Sequence, residues 1–182
     1  MHLFKLYKTL IIIAIVVAPI YWLMITEDGK RRTDTLVLWI TGGDPININF
    51  KALDSQYSIQ DWKKVYDDIE WQCKEQASTW GDEICYSEIS SYNGIPARYV
   101  TIFFAEGFSS ALKLVYRNLY HAQLGQELQK QLGKPERVNA GPGDAPGSNS
   151  ILKWQTDHGV LLLKQELGSG EEEASLLWLP RK

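Results

Sequence analysis

The stretch ARYVTIFFAEGFSSALKLVYR, residues 97–117, decides the fold class of this 182-residue chain. β-Branched and aromatic side chains dominate residues 97–106, which is typical of a strand. Glu106-Gly107 predicts a tight turn, and apolar and polar residues alternate over residues 111–117. The apolar members of that alternation share one face: Leu112, Leu114 and Tyr116. The stretch therefore predicts an antiparallel hairpin with one face directed at a core.

Further strands are predicted on both sides of this hairpin. Asn93-Gly94 is the strongest short hairpin signal in the chain, and His158-Gly159 predicts another turn. Strands are predicted at residues 35–40, 83–92, 151–157, 160–167 and 175–180. A loop is predicted at residues 139–150, because glycine, proline and small polar residues dominate there.

Two amphipathic helices are predicted between these strands. The first covers residues 59–76, and it begins at the N-cap Ser58 with Asp61 three residues further on. Its apolar stripe includes Cys73, so this cysteine is expected on the buried face. The second helix covers residues 119–132 and ends where a glycine and a proline follow.

The N-terminus carries an uncharged apolar run, LIIIAIVVAPIYWLMI, at residues 10–25. Thr9 and Thr26 extend the run to the lower end of the length that a membrane-crossing helix needs. We therefore predict a single transmembrane helix at residues 9–26 that anchors the chain in the inner membrane. A cleaved signal peptide is the second interpretation. The bulky residues at the end of the run argue against it, because signal cleavage sites require small residues.

The only two cysteines, Cys73 and Cys85, stand at the ends of the stretch CKEQASTWGDEIC. One is expected near the end of a helix and the other near the start of the next strand, and consecutive elements usually pack together. We therefore predict a disulfide, which would stabilise the fold by roughly 3 kcal/mol through loop-closure entropy. Two reduced core cysteines are the alternative. Because disulfides persist in oxidising compartments, the prediction places residues 33–182 in the periplasm or another extracytoplasmic space.

The order of elements predicts an α+β fold: an N-terminal transmembrane helix, then an antiparallel sheet with two helices packed on one face. Residues 1–32 form the predicted membrane anchor and juxtamembrane linker, and residues 33–182 form the extracytoplasmic domain. Its halves, 33–117 and 118–182, have the order of two tandem α-β-β-β units. The second half loosely resembles small helix-plus-meander modules of bacterial envelope proteins, and this resemblance in layout assigns a role to no residue.

The sequence contains few signs of catalysis. Of three histidines, His121 and His158 lie beyond the N-terminal tail, and both are interpreted as structural. The glycine-rich stretches GGDP and GPGDAPG lack the spacing of a phosphate-binding loop, and no metal-ligand motif occurs. We therefore predict no catalytic residue, no metal and no cofactor. Beyond residue 32 acidic residues outnumber basic ones, which argues against nucleic acid as a partner.

These observations favour a non-catalytic, membrane-anchored module that binds another protein of a bacterial envelope, as an inhibitor or immunity-type protein or as an assembly scaffold. The alternative is a small membrane-tethered hydrolase that uses carboxylates or His121 and His158. Ligand binding in an apolar gap is a third interpretation. Surface aromatic and loop residues are the candidate partner contacts: Trp71, Trp80, Glu171, Glu172 and Glu173.

Overall fold

The computed structural model describes residues 2–26, 29, 32–33, 43–139, 150–168 and 173–181. The chain divides into two compact units, Met1–Thr41 and Gly42–Lys182. The first unit contains helix α1 (His2–Ile25), in which Pro19 lies in the interior. The hydroxyl of Thr26 donates to the carbonyl of Trp22 at the end of this helix, at 2.8 Å.

No helix in the described residues is both long enough and apolar enough to cross a membrane. This finding contradicts the transmembrane helix predicted at residues 9–26 and the single-pass inner-membrane location derived from it. The predicted span was short, because its uncharged run reaches only the lower end of the length that a membrane-crossing helix needs. The run also includes Pro19. The strand predicted at residues 35–40 lies outside the described residues.

The second unit is built on an eight-stranded sheet in which every pair is antiparallel. Its strands follow the order β1-β2-β5-β6-β10-β9-β8-β7 across the sheet, and β3 and β4 pair separately. The strands are β1 (Gln72–Ser78), β2 (Gly81–Glu88), β3 (Ser91–Tyr92), β4 (Ile95–Pro96), β5 (Tyr99–Ala105), β6 (Phe108–Arg117), β7 (Glu136–Asn139), β8 (Ser150–Gln155), β9 (Gly159–Lys164) and β10 (Glu173–Pro180).

Short helices accompany the sheet: α2 (Ile59–Val65), and α3 (His121–Leu132) after a 3₁₀ turn at Asn118–Tyr120. The predicted start of α2 is confirmed. The Ser58 hydroxyl accepts from the Asp61 amide at 3.3 Å, and the Asp61 carboxylate accepts from the Ser58 amide at 2.9 Å. Hydrogen bonds from the Ser58 side chain and backbone lower the pKa of Asp61 below its ordinary value.

The predicted fold class is wrong in its transmembrane helix and in the first helix after it. Helix α2 ends at Val65, and Gln72–Ser78 forms strand β1 instead of helix. The sequence QCKEQAS adds only Cys73 and Ala77 to an apolar stripe, which gives a helix little to bury, whereas a strand pairs its backbone with β2. Strand β7 was not predicted either. The structure therefore shows a mostly antiparallel sheet, to which residues 72–117 and 136–180 each contribute four adjacent strands.

The main core lies on one face of this sheet. Alternating side chains of β5 and β6 enter it, as predicted for Leu112, Leu114 and Tyr116, all of which are buried. The segment before α2 contributes Ile46, Ile48, Phe50 and Leu53, and α2 contributes Trp62. A smaller cluster on the opposite face contains Ile84, Phe103 and Ala111. The buried indole of Trp62 donates to the Ser109 hydroxyl at 2.7 Å, and this bond joins α2 to β6.

Candidate functional site

Among the described residues, strand β1 is the longer of the two edge strands of the eight-stranded sheet. All seven of its residues are exposed, so neither of its faces is covered. One side of the strand pairs with β2, and no described residue pairs with the other side. Strand β7, at the opposite edge, has four residues. Edge strands present unpaired N–H and C=O groups that a further strand can bind, so β1 is the candidate site.

The predicted disulfide between Cys73 and Cys85 is confirmed, but it joins two strands rather than a helix and a strand. The two cysteines are directly opposite each other in the β1–β2 register. Cys85 is buried, whereas Cys73 is exposed and does not lie on a buried helical stripe as predicted. The bond therefore ties the edge strand to the interior of the sheet.

The orientation of the β1 backbone follows from this pair. The Cα atoms of Cys73 and Cys85 are 4.0 Å apart. Directly opposed residues in antiparallel sheets are about 4.5 Å apart where they exchange no hydrogen bonds and about 5.5 Å apart where they do. The backbone N–H and C=O of Cys73 therefore point away from β2. Glu75 has the same parity and stays in register with Glu83, so its backbone groups also point outward.

Side chains on one face of β1 are supported by Tyr86 of β2. Its hydroxyl donates to the Gln72 side-chain carbonyl at 2.6 Å, and the Lys74 ammonium lies 5.8 Å from its ring centroid. Glu75 points to the other face because side chains alternate along a strand. The edge therefore presents a cation on one face and an anion on the other.

The two tryptophans predicted as partner contacts lie at the two ends of β1. Trp71 immediately precedes the strand and packs edge-on against Trp62, with ring centroids 6.3 Å apart. Trp80 lies in the turn between β1 and β2 and packs edge-on against Phe103, with centroids 4.8 Å apart. Both indoles are half-buried. Each therefore supports the fold with one face and leaves part of its ring at the surface.

The acidic residues predicted as contacts are not brought to this edge where the structure describes them. Glu171 and Glu172 lie outside the described residues. Glu173 is the first residue of β10, opposite Arg117 in register, and three strands separate β10 from β1. Residues 140–149 of the predicted loop are also outside the description.

His121 is engaged within the fold. Its Nδ1 lies 2.8 Å from the Tyr116 hydroxyl, and its Nε2 lies 3.3 Å from the Gln165 carbonyl oxygen. A neutral ring with the proton on Nε2 donates to that carbonyl and accepts from the phenol, so both nitrogens are used. Burial raises the pKa of Tyr116, so this phenol stays protonated. His158 is exposed in the turn between β8 and β9.

Carboxylates, histidines and cysteines do not converge in the part of the chain that the structure describes: no group of three or more could hold a metal ion there. The described residues line hollows, of which two are relevant to a binding site. One has a volume of about 410 Å³ and lies beside the C-terminal end of α3. The other, of about 210 Å³, lies between α3 and strands β8 and β9 and includes His121 and Trp154. The sequence contained no signal for either, because their walls come from distant segments.

Comparison of the chain with protein-family models, with curated proteins and with solved structures finds no match.

Proposed function

We propose that this protein is a non-catalytic protein-binding module, in which strand β1 pairs with an extended segment of a partner protein. The observation that carries the proposal is the exposure of β1 on both faces, together with backbone groups of Cys73 and Glu75 that point outward. Addition of a strand to a sheet edge obtains affinity from main-chain hydrogen bonds and specificity from the flanking side chains.

Strand β1 is held in an ordered conformation by bonds within the protein itself. The disulfide fixes β1 to β2, and Tyr86 holds Gln72 through a hydrogen bond. A strand that is already ordered loses less conformational entropy on binding than a flexible segment would. Lys74 and Glu75 oppose indiscriminate pairing, because charged residues on an edge strand discourage aggregation.

We consider two forms of this function. One is an inhibitor that occupies the edge of a target protein, and the other is a scaffold that joins two proteins. Main-chain pairing suits both, because it requires an extended partner segment and no reactive group. The internal hydrogen bonds of His121 favour this module over the alternative hydrolase, since a general base needs a nitrogen that can reach a substrate.

The test is a proline at an outward position of the edge. Glu75→Pro removes an N–H that does not pair with β2, and edge strands tolerate proline where that N–H faces solvent. We expect this variant to fold and to lose crosslinking to the partner from a photoreactive residue at Gln76. Glu75→Thr, which keeps the N–H, is the matched control and should retain the same crosslinked protein. Equal crosslinking by both variants would contradict the proposal.

A further inference from the structure

We propose a second binding site, independent of the β1 edge, in the hollow of about 410 Å³ beside the end of α3, and we infer that it takes a neutral saccharide. This volume falls within the range of about 300–1,000 Å³ that is usual for small-molecule sites. Residues from three separate segments line it: Asn47, Ile48, Asn49, Lys51, Asn93, Gln131 and Leu132.

The walls of this hollow are fixed by hydrogen bonds. The Ile48 carbonyl accepts from the buried Tyr92 hydroxyl at 3.4 Å and from the Asn93 side-chain amide at 3.3 Å. The Asn93 backbone N–H donates to the Ile46 carbonyl at 3.0 Å. The segment that carries Asn47 and Asn49 is thereby held against the β3–β4 turn.

Hydrogen bonds within the protein use some of the polar side-chain atoms at this hollow and leave others able to bind a ligand. Asn93 uses its amide nitrogen on Ile48, which leaves its amide oxygen as an acceptor. Gln131 donates through its nitrogen to Glu127 at 2.9 Å, which likewise leaves an oxygen. Asn49 accepts the Lys51 backbone N–H through its oxygen at 3.1 Å, which leaves its nitrogen as a donor. The amide oxygens of Asn93 and Gln131 therefore remain as acceptors, and the amide nitrogen of Asn49 and the ammonium of Lys51 remain as donors.

A ligand hydroxyl matches this arrangement because it donates and accepts at once. Neighbouring hydroxyls of a sugar ring would donate to Asn93 and Gln131 and accept from Asn49 and the Lys51 ammonium. The apolar side chains of Ile48 and Leu132 line the hollow as well, and they suit the C–H face of the ring.

The charges around the hollow favour a neutral ligand. Gln131 and Leu132 are the last two residues of α3, and the partial negative charge of a helix C-terminus disfavours an anion. The ammonium of Lys51 disfavours a cation, and the described residues contribute no carboxylate to the lining. A polyhydroxylated molecule without net charge satisfies both conditions.

The experiment is an NMR titration of the full-length protein with maltose, cellobiose and N,N′-diacetylchitobiose, observing the side-chain amides of Asn47 and Asn49. We expect saturable shifts with at least one sugar. Gln131→Met should weaken that binding about tenfold, the effect of one lost hydrogen bond of about 1.4 kcal/mol. Gln126→Met, on the same helix and outside the lining, should leave binding unchanged.

Two results would overturn this proposal. One is the absence of a saturable shift with all three sugars. The other, from the same titration carried out with glucose and glucuronate, is tighter binding of glucuronate, because the site would then select an anion. Neither result bears on the β1 edge, which contributes no residue to this hollow.

Discussion

At the scale of single residues, the packing around two glycines leads us to expect opposite effects of alanine substitution on stability. A Cβ at Gly159 would lie 2.5 Å from the Leu179 carbonyl oxygen and 2.6 Å from the Trp178 indole nitrogen, so alanine does not fit. A Cβ at Gly125, within α3, would meet only a Leu163 methyl at 3.9 Å. A methyl group at position 159 would therefore overlap its neighbours, whereas a methyl group at position 125 has room.

We therefore expect Gly159→Ala to lower the free energy of unfolding by about 1–3 kcal/mol through overpacking. Gly125→Ala should raise it by up to about 1 kcal/mol, because alanine forms helix better than glycine. Urea denaturation of both variants beside the wild type measures the difference. Equal midpoints for the two variants would show that the β9–β10 contact is not packed as described.

Local signals in the sequence were reliable at this scale. Ser58 and Asp61 predicted the start of a helix, and the structure confirms both of their reciprocal hydrogen bonds. Asn93-Gly94 and Glu106-Gly107 predicted turns, and these four residues adopt positive φ values from 47° to 83°. Each signal depends on a few neighbouring residues, whose preferences tertiary structure did not override.

At the scale of elements, secondary structure was predicted wrongly from the sequence where an element depends on pairing with a distant segment. Residues 66–76 are predicted as helix because Trp62, Tyr66 and Ile69 repeat at helical spacing, yet the helix ends at Val65. The polar run that follows becomes a strand only because β2 offers a complementary edge. The same reason accounts for β7, whose four residues carry too little pattern to be detected alone.

The disulfide makes β1 the element most sensitive to reduction. Replacing Cys73 and Cys85 by alanine should cost roughly 3 kcal/mol of stability for the short loop that they close. We also expect the amide of Lys74 in β1 to exchange faster with solvent, while amides of β5 and β6 keep their relative protection. Hydrogen exchange detected by NMR separates these strands. Uniform acceleration across the whole sheet would mean that β1 is not a separately anchored edge.

At the scale of the whole molecule, stability should fall at high pH because Tyr92 and Tyr116 are buried in the core and Tyr66 is partly buried against it. Burial raises the pKa of Tyr66 to about 12, with a further contribution from Tyr57, and burial also raises the pKa values of Tyr92 and Tyr116. An unfolded chain releases these protons near pH 10, whereas the folded protein retains them. The stabilisation is therefore complete below pH 10, and the part that comes from Tyr66 is lost as the pH rises from 10 to about 12.

Denaturant titrations at pH 9, 10 and 11 test this expectation, and Tyr66→Phe should show a shallower loss than the wild type. A wild-type curve that is flat over this range, or one as steep in the variant, would indicate that the Tyr66 side chain does not pack partly buried against the core.

The topology could not be read from the sequence at this scale. Strand alternation predicts sheet faces, but the pairing of β6 with β10 joins segments that are distant in the chain. The position of Trp71 and Trp80 at the two ends of an exposed edge also depends on this order. The two tryptophans are predicted as contacts from the sequence alone, and their place at the two ends of one edge strand is visible only in the sheet.

The central claim is that β1 offers outward backbone groups to a partner strand, and residue-resolved hydrogen exchange tests it most directly. In the protein alone, we predict fast exchange for the amides of Cys73 and Glu75 and slow exchange for Lys74, which faces β2. On binding the protein recovered by crosslinking, Cys73 and Glu75 should become protected while the amides of β7 stay unchanged. Unaltered exchange at Cys73 and Glu75 in the complex would contradict strand addition at this edge.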